Sequence, residues 1–210
     1  MDKPIIYTVG HSTHQLDYFL EILQEHNVNC IVDVRSVAAS AYNPQFNKEP
    51  FTNYLKNNGI SYLHFDKEFG ARHTDYRLLD DKGRVDFVKV QQSEDFNKGI
   101  QRLRQGLEKG FNISLMCSES EPLDCHRFSM VSIALERSGF TVLHILKDKT
   151  IKTNAQLELQ LLKKYDKKLP KPTMFEPDIT LEDQLKVAYR LRNDEIGFSA
   201  YSTETEERYD

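Results

Sequence analysis

The feature that most limits what this chain can fold into is an alternation of short apolar runs with longer amphipathic ones. Cys30-Ile-Val-Asp33-Val34 and Ile113-Ser-Leu-Met-Cys117 have strand length and almost unbroken apolar character. Runs of that kind suit strands buried on both faces of a parallel sheet. Residues 5–9, 60–65 and 141–146 supply three more. Between them, Leu16, Phe19, Leu20 and Leu23 fall at helical spacing, as do Phe51, Tyr54 and Leu55. Phe96, Ile100, Leu103 and Leu107 form a third such set, and Phe128, Val131, Ala134 and Leu135 a fourth. Thr13, Asn47 and Asp124 are the expected caps of the first, second and fourth of these helices. Strand–helix repetition with right-handed crossovers predicts a doubly wound α/β fold. Its mainly parallel sheet should have about five strands, with flanking helices and a helical C-terminal extension.

The chain's 210 residues suit one domain with a tail. The α/β domain is expected over residues 1–165, and a linker, a short helix and a polar tail over 166–210. Residues 163–172 are rich in lysine and proline, as a linker would be. Thr153-x-x-Gln156 reads as a capping box, and Thr180-x-x-Asp183 starts another late helix. Residues 87–92 read as a short helix, and residues 66–85 as a long polar connection of the functional or mobile kind. From Ser199 onward the polar, acidic sequence is expected to fray. Hydrophobic content of 39% with 29% charged residues describes a globular chain. A net charge of −4 and a pI near 6.0 exclude a protein devoted wholly to coating nucleic acid. No apolar stretch reaches membrane-spanning length, so no membrane contact is expected. The start lacks a signal-peptide pattern, and an odd set of three cysteines fits a reducing compartment. A cytoplasmic location is expected.

Parallel strands bring their carboxyl ends to one edge of the sheet, where ligands bind in such folds. The polar residues of this chain collect at those ends. His11 and Ser12 follow the first strand, Asp33 and Arg35 close the second, and Arg72 lies in the connection after the third. Cys117 and Glu119 end the fourth, and Cys125, His126 and Arg127 open the helix after it. Arg35, Arg72 and Arg127 beside a helix N-terminus suit an anion; Arg35 could equally form a structural bridge to Asp33 or Glu119. Asp33 and Glu119 are candidate acid, base or nucleophile residues. His11, Ser12, Cys125 and His126 would line the substrate. Cys117 is a candidate thiolate nucleophile, although Leu123 stands where the arginine of a phosphatase-like loop would be. No metal is expected, because Cys117-x7-Cys125-His126 lacks the short ligand spacing of structural zinc sites. No cofactor is expected either, since the Gly-x-Gly-x-x-Gly run is absent. His144, alternating with Val142 and Ile145, reads as a satisfied sheet histidine.

Thr8-Val-Gly-His-Ser12, Val32-Asp-Val-Arg35, Asn43-Pro-Gln-Phe46, Phe69-Gly70, Leu115-Met-Cys-Ser-Glu119 and Cys125-His-Arg127 occur in that order. In these motifs the chain resembles the domain of unknown function family 488, over about residues 5–165. The resemblance implies a cytoplasmic α/β domain with enzyme-like polar motifs at its strand ends. Ala39 and Ala41 stand where the family commonly has proline and arginine, and Gly70-Ala71 where it often has two glycines. The expectation is an enzyme, a hydrolase or transferase, acting on a small anionic ligand or nucleic-acid component. A thiol enzyme using Cys117 and a non-catalytic ligand-sensing module are the alternatives.

Overall fold

A computed structural model describes residues 3–200 of the chain. Six strands form one sheet: β1 (Ile5–Gly10), β2 (Cys30–Asp33), β3 (Ser61–His64), β4 (Ile113–Cys117), β5 (Thr141–Ile145) and β6 (Ile151–Thr153). Their order is β3-β2-β4-β1-β5-β6. The first five run parallel, and β6 pairs antiparallel with β5. The fold is therefore the expected α/β class, with one strand more than the apolar runs indicate. Ile151-Lys-Thr153 is too short and too exposed to carry an apolar signature.

The helices are α1 (Leu16–Glu25), α2 (Lys48–Asn57), α3 (Asp66–Phe69), α4 (Phe87–Gln91), α5 (Glu94–Glu108), α6 (Ile133–Arg137), α7 (Asn154–Tyr165) and α8 (Leu181–Ile196). On one face of the sheet Phe19, Ile22 and Leu23 of α1 and Phe51 and Leu55 of α2 pack against Ile31 and Met116. On the other, Phe69, Phe96, Leu103 and Leu135 meet Val32, Leu115 and Val142. Alternation along β2 and β4 thus sends Ile31 and Val32, and likewise Leu115 and Met116, into different cores. A third cluster joins Phe128, Leu157, Leu161 and Tyr165 to Ala188 and Tyr189 of α8. Arg192 fastens that helix with bonds to Leu123 O and Asp124 Oδ1, both at 2.7 Å.

The capping box at Thr153 forms as its spacing predicts, and the helix start at Thr180 also closes as a capping box with Asp183. Two other caps differ. Ser12 turns the chain with a left-handed φ of 48°, so α1 starts later, with Gln15 rather than Thr13 at its N-cap. Asp124 ends a 3-10 turn opened by Pro122, and its carboxylate is taken by Arg192. The helical run that follows begins as a π-helix, Arg127–Ser132, with His126 at its N-cap. Asn47 does sit at the N-cap of α2, but its side chain accepts from Ser40 N instead of a helix N–H. The long connection after β3 contains α3, a 3-10 turn Tyr76–Leu78 and a bridge between Leu79 and Val85. Past α8 the chain crosses back to this connection: Val85 N donates to Phe198 O, and Ala200 N to Gly83 O. The tail expected to fray lies, from residue 201 onward, outside the described residues.

Candidate functional site

The connections out of β1 and β2 run over the α1/α2 face, whereas those into β4 and β5 run over the opposite face. Chain leaving β2 therefore diverges from chain leaving β4, although the two strands are hydrogen-bonded neighbours. A crevice must open beyond their carboxyl ends. A cleft of about 450 Å³ lies there, lined by Arg35, Ser36, Arg72, Cys117, Ser118, Glu119 and His126, with Ile196 and Phe198 from the C-terminal segment.

The β2 side of this cleft is a buried ion pair. Asp33 is wholly buried and accepts four kinds of donor: Arg35 N at 3.0 Å, Arg35 Nε at 2.9 Å, Arg35 Nη2 at 2.6 Å and Tyr62 Oη at 2.7 Å. Burial pushes the Tyr62 phenol up, and the neighbouring Asp33 charge adds to it. Arg35 Nη2 also donates to Phe46 O at 2.7 Å, and Nη1 donates to His11 Nε2 at 3.2 Å. One N–H of Nη1 remains for the cleft. His11 is buried, stacked on Phe46, with Nδ1 2.8 Å from Ser12 O. Burial holds its pKa down to about 4, so the neutral ring carries its proton on Nδ1 and accepts from Arg35. Asp33 thus orients Arg35, and His11 and Ser12 hold the Arg35 head from behind.

The β4 side carries the thiols. Cys117 Sγ donates to Glu119 Oε2 at 3.0 Å and lies 3.7 Å from His126 Nδ1. Cys125 Sγ lies 3.8 Å from the same nitrogen and accepts from Arg127 N at 3.3 Å. His126 Nε2 donates to Val34 O at 3.0 Å, which ties the helix start to the end of β2. Burial pushes the Cys117 thiol well up, so it rests protonated. Burial opposes ionisation of Cys125 too, but the Cys117 thiol, Arg127 and His126 outweigh it and draw that thiol well down. Glu119 sits at the cleft mouth with its carboxylate turned inward; burial and the Cys125 charge raise its pKa. Burial works against His126 protonation, yet the Cys125 and Glu119 charges raise its pKa.

The three expected arginines part ways. Arg127 is wholly buried, and its Nη1 and Nη2 donate to Glu119 O at 2.6 Å and Ser120 O at 2.8 Å. It clamps the β4 loop. Gly10 makes room for that clamp: a Cβ there would stand 1.9 Å from Glu119 O. Arg35 borders the cleft and keeps one N–H that these partners do not use. Arg72 is exposed, lies 5.6 Å over the Phe198 ring, and has no carboxylate partner among the described residues. His144 is the satisfied sheet histidine its position suggests, between Thr8 Oγ1 at 2.8 Å and Asn154 Oδ1 at 3.4 Å.

Several participants had no separate signal in the sequence. Tyr62 looks like any half-buried strand aromatic, and Phe198 lies in the stretch expected as linker, short helix and tail. The approach of Cys117, Cys125 and His126 to within 4.8 Å of one another depends on how the intervening loop folds back. The family described as a domain of unknown function, DUF488, has a sequence model that matches residues 15–133, more than half of the chain. No curated protein matches the chain. No solved structure matches it.

Proposed function

The chain belongs to the DUF488 family, and from that premise we propose that it is an enzyme, a hydrolase or transferase, acting on a small anionic substrate derived from a nucleotide or nucleic acid. The substrate lies in the cleft beyond β2 and β4. Arg72 and the remaining N–H of Arg35 hold its anionic group, and Glu119 is the acid–base group. Asp33, His11 and Ser12 position Arg35, while Arg127 positions the loop that carries Glu119. One observation carries the reading: an exposed cation with no carboxylate partner among the described residues, Arg72, borders the same cleft as an inward-turned carboxylate, Glu119. A guanidinium exposed at a cleft suits a phosphate or carboxylate. The Phe198 ring beneath Arg72 offers a flat apolar surface beside the anion, as a nucleobase or sugar would use. A cleft of about 450 Å³ is of small-molecule size.

Cys117 is disfavoured as the nucleophile because its thiol rests protonated on Glu119. The test is turnover across nucleoside phosphates and short oligonucleotides with wild type and Glu119→Gln. The variant should bind the substrate as wild type does and lose its turnover. Turnover undiminished in the variant would remove Glu119 from the chemistry; tight binding with no turnover in wild type would favour a sensing module.

A further inference from the structure

Cys117 ends β4, the loop returns through the turn Pro122–Asp124, and Cys125 and His126 arrive beneath it. Both cysteines are buried and neither is in a disulfide. Sγ of each and Nδ1 of the imidazole lie within 4.8 Å of one another. An ion bonded at about 2.3 Å to sulfur and about 2.0 Å to nitrogen in a tetrahedron needs sulfur–nitrogen edges of about 3.5 Å. The two edges here are 3.7 and 3.8 Å. The imidazole is also held as a ligand would be. Its Nε2–H is fixed on Val34 O at 3.0 Å, which leaves Nδ1 facing both sulfurs as the nitrogen that would ligate. Arg127 N–H donates to Cys125 Sγ, the kind of bond that steadies a thiolate.

We propose that Cys117, Cys125 and His126 bind one divalent cation of borderline softness, zinc by preference, with its fourth position open to the cleft and the thiol proton that Cys117 shares with Glu119 released as the ion binds. Two sulfurs and one nitrogen select zinc over magnesium or calcium, which take oxygen. Three protein ligands with an open position are the pattern of a catalytic rather than a structural zinc. Cys117 and His126 both line the cleft, so the open position faces the region where Glu119 stands. The sequence spacing hides this set because zinc ligands are ordinarily recognised as close pairs, and here seven residues separate the thiols.

The full chain is stripped with a chelator under a non-thiol reductant and titrated with cobalt(II), then with zinc. One cobalt per chain should bind, with thiolate-to-cobalt charge-transfer absorption and the d–d bands of a tetrahedral ion. An equivalent of zinc should erase both and raise the melting temperature. Cys125→Ser and His126→Gln should lose the cobalt bands, while Cys30→Ser and Glu119→Gln keep them. Absence of the charge-transfer band in wild type, or its persistence unchanged in His126→Gln, would overturn the site. Loss of the bands in Glu119→Gln would make Glu119 a fourth ligand and overturn the open position. Should the cluster variants not fold, wild type still decides: zinc should slow alkylation of Cys117 and Cys125 at least tenfold, and equal rates with and without zinc overturn the proposal.

Discussion

Arg127→Ala separates a loop clamp from an anion contact. The side chain is wholly buried and donates to two backbone carbonyls, Glu119 O at 2.6 Å and Ser120 O at 2.8 Å. Hydrogen bonds from a charged donor contribute about 1.5–3 kcal/mol each. Against their loss stands the relief of a buried guanidinium's desolvation, which offsets part of it. A net destabilisation of about 3 kcal/mol is expected, which for a chain of this size lowers the melting temperature by roughly 6–12 °C. Thermal and urea unfolding of wild type, Arg127→Ala and Arg127→Met measure it. Methionine refills most of the volume but cannot bond the carbonyls, so it should recover only a minor part of the loss. A variant that unfolds at the wild-type midpoint while losing its ligand would refute the clamp and return Arg127 to the anion.

Asp33→Asn should cost about 3–5 kcal/mol in urea unfolding, because it leaves the buried Arg35 cation without its counter-charge; a midpoint equal to wild type would show that the pair does not hold the β2 end. His144 gives a pH signature. Its folded pKa is held down to about 3 by burial, below the ordinary 6.5, so the unfolded chain takes up a proton that the folded one refuses. Its contribution is complete above pH 6.5 and is lost as pH falls toward 3. Between those limits His144→Gln should remove up to about 1.4 kcal/mol per pH unit from the slope of stability against pH, and identical slopes for the two proteins would contradict it.

Most of the framework was legible in the sequence because its signals are local. Apolar runs such as Cys30–Asp33 and Ile113–Cys117 identify interior parallel strands, and Thr153 with Gln156 identifies a helix start, without reference to any distant residue. Convergence of polar residues at one sheet edge followed from parallel pairing alone. Which way each side chain then turns did not. Arg127 read as an anion ligand, and Arg35 equally as an anion ligand or a bridge to Asp33; Arg35 does bridge to Asp33 and spends four of its five N–H groups on Asp33, Phe46 and His11, and Arg127 spends its Nη groups on the loop. Only tertiary packing fixes those assignments. The same holds for Phe198, brought to the cleft by α8 and by bonds to Gly83 and Val85 that no local pattern encodes.

The direct test of the account is calorimetric titration of a nucleoside monophosphate into wild type and Arg72→Ala. Arg72 is exposed, makes no ion pair among the described residues and stands over the Phe198 ring, a contact of about 0.5–1 kcal/mol, so its removal should lower the melting temperature by no more than about 4 °C. Wild type should bind one nucleotide per chain, and the variant should bind it at least tenfold more weakly, the loss of one charge-assisted contact of about 1.5 kcal/mol or more. Equal affinity in the two proteins would contradict the assignment of the cleft between Arg72 and Glu119 as the substrate site.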